Sequence, residues 1–187
     1  MNYELTPIDA VLRNFGRNIV NLQRLEQILK ALASIQPVNG TIEKIKNDIE
    51  KTRKKALGFT LGQAINVWVD SLDESKPPKV LAKDLFDITL CSQFDFGLDS
   101  ETKVRHAEQL NELLIYRNGL IHGGLAKVDF ESESELKTIS AELDLWNPKI
   151  IEQINFLAPI LRTIASIKAG DFEVVENDDD LSDFREH

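Results

Sequence analysis

The chain has 187 residues, of which 42% are hydrophobic and 28% are charged, and its net charge at pH 7 is −9. This composition is typical of an ordinary globular protein. The single cysteine, Cys91, excludes a disulfide framework and a cysteine-based metal site, and it favours a reducing, cytoplasmic setting. No basic segment followed by an apolar run opens the sequence, and Arg162 interrupts its most apolar stretch. We therefore expect neither a secretion signal nor a membrane span.

The negative charge is concentrated at the C-terminus. Eight acids and one arginine in residues 171–187 account for −7 of the net charge of −9, which leaves −2 for residues 1–170. The sequence thus predicts a helical body at 1–170 and an acidic tail at 171–187. A tail of this composition is expected to be disordered and solubilising. The alternative is a tail that competes with nucleic acid for a site on the body.

A first helix is predicted to begin at Pro7, because Thr6 can cap it and Asp9 places an acid in its first turn. Apolar residues then recur at helical spacing: Ile8, Val11, Leu12, Phe15, Ile19, Leu22 and Leu29. Three arginines fall on the opposite face: Arg13, Arg17 and Arg24. That face is interpreted as solvated, with an edge that contacts phosphate groups as the alternative.

Two more helices and an extended segment are expected next. A second helix begins at Thr41 and ends near Gly58, and a third runs from about Thr60 to Leu72. Apolar and polar residues alternate between 86 and 96 with the period of a strand. We therefore expect a small extended or β insertion there.

The C-terminal half contains further helical segments. Ser100 caps a helix that Gly123 and Gly124 end. After a polar loop, Ser132 or Ser134 begins a helix that reaches Trp146, and Asn147-Pro148 starts another, in which Pro159 should produce a kink. The fold expected from these elements is all-α, an up-and-down bundle of four to six helices.

The helix from Ser100 ends in YRNGLIHGG, which holds the candidate functional residues. A helical wheel predicts the buried line Ala107, Leu110, Leu114 and Ile121. Arg117 lies about 40° to one side of Ile121 and Asn118 about 60° to the other, so the arginine needs a partner. An ion pair with a carboxylate of the same chain is the alternative to a functional role, and it would argue against a ribonuclease. His122 is one turn from Asn118 but points about 140° away from Arg117. His106 is expected to be an exposed helix residue.

The run Arg117-Asn118-Gly119-Leu120-Ile121-His122 resembles the R-x4–6-H signature of the HEPN superfamily (higher eukaryotes and prokaryotes nucleotide-binding domains). The resemblance implies an all-α bundle, a homodimer in which the two motifs face each other, and metal-independent ribonuclease activity in toxin–antitoxin or phage-defence systems. It implies that Arg117, Asn118 and His122 are the catalytic residues, with RNA as the substrate and no cofactor or metal. In such a dimer, Arg117 of one chain can act beside His122 of the other.

The sequence departs from one branch of that family. Members paired with a nucleotidyltransferase antitoxin carry H-x-Y, whereas the second residue after His122 is Gly124. That form of regulation is not supported, and an antitoxin or regulatory protein stays unidentified. The alternative reading is a non-catalytic HEPN-like module that binds a partner or senses a nucleotide, which the nearly neutral charge of the body favours.

Overall fold

A computed structural model describes residues 6–35, 38–40, 42–72, 90–92 and 97–169. In this part of the chain there are five helices and two short strands. The helices are α1 (Pro7–Ala33), α2 (Ile42–Leu57), α3 (Leu61–Ser71), α4 (Ser100–Gly123) and α5 (Glu133–Ala169), and the strands are β1 (Val38–Gly40) and β2 (Leu90–Ser92). The expected all-α bundle is confirmed.

The side-chain contacts give the directions of the main helices. Asn14 and Asn21 of α1 contact Ser140 and Asn147 of α5 in the same order, so α1 and α5 run parallel. The contacts between α4 and α5 run in the opposite order, with Gln109 joined to Gln153 and Glu112 to Lys149. Helix α4 is therefore antiparallel to both, as an up-and-down bundle requires.

The core lies where α1, α3, α4 and α5 meet. Its largest fully buried apolar side chains come from all four helices: Trp68, Leu25, Leu29, Leu61, Ile65, Leu110, Leu113, Ile150 and Leu157. Burial of each such side chain contributes about 1.5–3 kcal/mol, which offsets the conformational entropy lost on folding.

The predicted helix starts at Pro7 and near Thr60 are confirmed. The Thr6 hydroxyl accepts a hydrogen bond from the Asp9 amide, and the Asp9 carboxylate accepts one from the Thr6 amide. Thr60 and Gln63 form the same reciprocal pair at the start of α3. Each capping box satisfies backbone amides that the first helical turn leaves without partners.

The expected extended segment is confirmed over Leu90–Ser92. This strand pairs antiparallel with β1, whose Asn39 lies opposite Cys91, a partner that the sequence pattern does not indicate. The rest of the 86–96 segment and the acidic tail at 171–187 lie outside the described residues.

The expected restart of the chain at Asn147-Pro148 is wrong, because α5 is one continuous helix that contains both Pro148 and Pro159. A proline inside a helix removes the hydrogen bond to the carbonyl four residues earlier. Next to that carbonyl, the Leu143 carbonyl accepts a hydrogen bond from Asn18 of α1 at 2.7 Å. Packing against α1 along its length thus holds α5 together across Pro148.

The buried face of α1 also differs from the expected one. Ile8 and Leu12 are 39% and 49% exposed, whereas Asn14, Asn18 and Asn21 are buried. Each asparagine amide donates hydrogen bonds to α5, and Asn18 donates a second one to the Tyr116 hydroxyl of α4 at 2.9 Å. A wheel that counts only apolar residues misses this face, because these polar side chains find partners on other helices.

By length and composition alone, one described stretch is apolar enough to cross a membrane, residues Glu133–Ile167 of α5. Within it, Ile150 and Leu157 are completely buried in the bundle core. A central helix of a globular bundle meets the same criterion. The expectation that no segment spans a membrane stays a prediction.

Replacing Asn18 with alanine should lower the free energy of unfolding by about 1–3 kcal/mol, because the Tyr116 hydroxyl and the Leu143 carbonyl each lose a buried partner. Urea denaturation followed by circular dichroism measures the change. The matched control is Asn66→Ala on α3, where the asparagine is exposed. Equal stabilities of the two variants would contradict this role of Asn18.

Candidate functional site

The candidate residues lie in the last two turns of α4, and the orientation of this helix differs from the expected one. Its buried side chains are His106, Leu110, Leu113 and Leu120, whereas Ile121 is 47% exposed. The buried line is thus rotated by about 75° from the one that the apolar residues indicate. His106 has a partner in the core, although its residue type suggested an exposed position.

His106 is part of the core. Its Nε2 atom accepts a hydrogen bond from the Trp68 indole at 3.0 Å, and its ring contacts Phe156 with 4.5 Å between ring centroids. Burial lowers the pKa of His106 from 6.5 to about 4, and a hydrogen bond with Gln153 offsets part of that effect. The ring is therefore neutral at pH 7 and serves as a hydrogen-bond acceptor.

Arg117 continues the line of buried residues between Leu113 and Leu120, but its side chain is 29% exposed at the edge of the bundle. Its Nη1 donates a hydrogen bond to the Asn118 side chain at 3.3 Å. Its Nη2 lies 3.8 Å from a Glu26 carboxylate oxygen. That separation is an ion pair but is too long for a hydrogen bond, so the carboxylate only partly satisfies the guanidinium.

Glu26 has a closer cationic partner than Arg117. The Lys30 ammonium lies 2.8 Å from the same carboxylate, one helical turn along α1. The alternative to a functional role, an ion pair between Arg117 and a carboxylate of the same chain, is thus present in the structure. The structure supplies the acid at a distance that leaves the guanidinium able to bind a second anion.

Asn118 and His122 are exposed, and they follow each other at i and i+4 on the solvent side of α4. Helix α4 ends at Gly123, one residue after His122, and Gly124 follows it with a backbone that is still helical. A Cβ atom there would lie 2.7 Å from the Leu120 carbonyl oxygen and 3.0 Å from its Cα, so only glycine fits this turn. The imidazole accordingly sits in the last turn, at the negative end of the helix dipole.

The structure brings Arg117 and Asn118 into contact and places His122 one turn beyond Asn118. It does not bring Arg117 and His122 together, since positions five apart diverge by about 140° on a helix. Ile121 lies between them on the helix surface. A single chain thus presents the three candidate residues along an exposed ridge rather than around one point.

Two concave surfaces flank this ridge. A groove of about 530 Å³ separates α4 from α5, and its lining is largely apolar, with Ile115, Gly119, Leu143 and Trp146 among its residues. A shallow depression of about 720 Å³ separates α4 from α1. The depression is lined by Val20, Gln23, Arg24, Glu26, Gln27, Ile28 and Arg117. Arg117 therefore belongs to the α1 side of the ridge.

In the part of the chain that the structure describes, no three histidine, cysteine, aspartate or glutamate side chains are grouped in a way that could hold a metal ion. The functional groups that the ridge presents are the guanidinium of Arg117, the side-chain amide of Asn118 and the imidazole of His122.

No family model matches the chain, and no curated protein or solved structure is significantly similar to it. The resemblance to the HEPN superfamily therefore rests on the sequence of residues 117–122 and stays a prediction.

The neutral state of His106 predicts a pH dependence of stability. The unfolded histidine binds a proton below its ordinary pKa of 6.5, whereas the folded one does so only near 4. The free energy of unfolding should therefore fall as the pH drops from 6.5 to 4, by up to roughly 3 kcal/mol from this group.

His106→Gln should remove that component, because glutamine offers the Trp68 indole an acceptor and does not titrate. Urea denaturation at several pH values compares the variant with the parent, and His122→Gln, which changes an exposed ring, is the control. An unchanged pH profile in His106→Gln would show that His106 does not account for the acid sensitivity.

Proposed function

We propose that the protein is a metal-independent endoribonuclease of the HEPN type, with a role as a toxin or in defence. Its active site consists of Arg117, Asn118 and His122 and is completed by a second copy of the chain. The observation that carries the proposal is the Arg117 guanidinium, which is held at the surface beside Asn118 while its carboxylate contact, at 3.8 Å, is longer than a hydrogen bond. It is positioned to bind a phosphate group.

Cleavage of RNA at this site follows from the residue types. The 2′-oxygen loses its proton and bonds to phosphorus, while the bond from phosphorus to the 5′-oxygen breaks and that oxygen gains a proton. An imidazole can both accept and donate a proton, so His122 serves the proton transfers. Arg117 offsets the charge that develops on the phosphoryl oxygens, and Asn118 orients the imidazole or the phosphate. The products are a 2′,3′-cyclic phosphate and a 5′-hydroxyl.

A second copy of the chain brings the arginine and the histidine together. Ile121 is 47% exposed between them. An antiparallel copy of α4 packed across Ile121 covers apolar surface, which favours association. The same arrangement brings the partner's His122 beside Arg117.

The second candidate function is a non-catalytic module that binds a partner protein or senses a nucleotide. It is favoured by the net charge of −2 over residues 1–170, since nucleases usually present a broadly basic surface. Incubation of the protein with total RNA and with tRNA separates the two functions. If expression of the protein in the cytoplasm is toxic to the host cell and His122→Ala abolishes that toxicity, the nuclease is supported. Such a result would also support an antitoxin or regulatory partner.

Arg117→Ala and His122→Ala should each lower the rate of RNA cleavage at least about 100-fold, because each removes a group that acts in the transition state. Cleavage is measured on tRNA and total RNA in the presence of a chelator. Arg105→Ala, which removes an exposed arginine from the same helix, should leave the rate unchanged. Unaltered helical circular dichroism shows that each variant is folded. Cleavage by both site variants at the parental rate would refute the mechanism.

Ile121→Glu should convert the dimer into a monomer and reduce cleavage, because it places a charge where the second copy packs. Sedimentation velocity gives the oligomeric state. The matched control is Ile115→Glu, an exposed isoleucine of the same helix that faces the groove beside α5. If Ile115→Glu dissociates the dimer and Ile121→Glu does not, the second copy lies on the groove side, and a site shared between Arg117 and the partner's His122 is contradicted.

A further inference from the structure

The two concave surfaces beside the ridge differ in the sign of their charge. The depression between α1 and α4 contains two arginines, Arg24 and Arg117, and one acid, Glu26. The groove between α4 and α5 contains two acids, Glu112 and Glu142, and one base. A nucleic-acid backbone carries one negative charge per nucleotide, so it is attracted to the depression and repelled by the groove.

Glu26 does little to neutralise the depression, because Lys30 occupies its carboxylate at 2.8 Å. Since Lys30 adds a positive charge of its own, the local balance over Arg24, Glu26, Lys30 and Arg117 is two positive charges. Residues 1–170 together carry −2. This surface is thus basic on a body that is slightly acidic, and local charge steers an anionic ligand more strongly than the net charge does.

Arg24 is the one arginine of α1 that lies in this depression. It is exposed, and among the described residues no carboxylate lies within ion-pair distance of its guanidinium. Arg17 of the same helix differs, since it is paired with Asp144 at 2.7 Å. Gln23 and Gln27 also line the depression, and their amides add hydrogen-bond donors to those of the guanidinium.

We propose that Arg24 is a substrate-positioning residue that, together with Arg117, binds the phosphodiester backbone of single-stranded RNA in the depression between α1 and α4. This rests on the proposed function in placing the cleaved phosphate at Arg117 and His122. Arg24 then binds a neighbouring phosphate of the same strand, and the strand passes from the α4 ridge over α1. Its guanidinium holds the strand in register and takes no part in the proton transfers.

The test measures binding separately from cleavage. In the full chain carrying His122→Ala, fluorescence anisotropy of a labelled single-stranded oligoribonucleotide gives the dissociation constant between about 50 and 200 mM salt. Adding Arg24→Ala should weaken binding about 10-fold at the lower salt concentration. It should also reduce the slope of log affinity against log salt by about 0.7, the value for one contact with a single-stranded phosphate.

Arg13→Ala is the matched control. It removes the same charge from an exposed position of the same helix, but Arg13 does not line the depression. Its dissociation constant and its salt slope should stay within about 2-fold of the parent's, because a distant surface charge is screened. Arg24→Lys, which keeps the charge, should retain the slope and recover part of the affinity.

In the active chain, Arg24→Ala should raise KM about 10-fold and leave kcat within about 2-fold, since the residue binds substrate and transition state alike. Equal effects of Arg24→Ala and Arg13→Ala would overturn the proposal. If RNA binding depends on Arg24 but the parent chain cleaves no RNA, the phosphate site stands and the ribonuclease function fails. If cleavage depends on His122 and binding is indifferent to Arg24, the function stands and the phosphate site is wrong.

Discussion

The two hydrogen bonds that the Asn18 amide donates connect three helices at one point, and the geometry of the site depends on them. One goes to the Tyr116 hydroxyl of α4 and the other to the Leu143 carbonyl of α5. Because the amide is completely buried, a shift of any of these helices would leave a polar group without a partner. This constraint fixes the rotation of α4 one residue before Arg117. It thereby places the guanidinium against α1 rather than against α5.

The sequence predicted the bundle, the helix starts at Pro7 and near Thr60, and the end of α4 at Gly123, because capping residues and glycines act locally. It did not predict the rotation of α1 and α4. Asn18 and His106 are polar by residue type, and only the presence of partners across the bundle makes their burial favourable. The continuity of α5 through Pro148 has the same origin, since packing against α1 outweighs a local helix breaker. The motif itself was visible because its residues are adjacent in the chain, whereas Arg24 joins it only through the contact between helices.

The proposed function depends on local charge rather than on the charge of the whole chain. An acidic protein is a poor ligand for RNA on average, but the depression beside Arg117 is basic because Lys30 engages the one acid in it. The long contact between Arg117 and Glu26 is consistent with this, because the carboxylate stabilises the charge of the guanidinium without accepting a hydrogen bond from it. A phosphate group bound at Arg117, whether it belongs to RNA or to a nucleotide, would replace this pairing.

In the proposed site, Arg117 acts with His122 of a second copy. The most direct measurement mixes the inactive variants Arg117→Ala and His122→Ala in equal amounts, allows the subunits to exchange, and assays RNA cleavage. Half of the dimers then combine the two variants, and each of these has one intact site of two, so the account predicts about a quarter of the parental activity. Activity no greater than that of either variant alone, in a mixture shown to have exchanged subunits, would contradict the shared site.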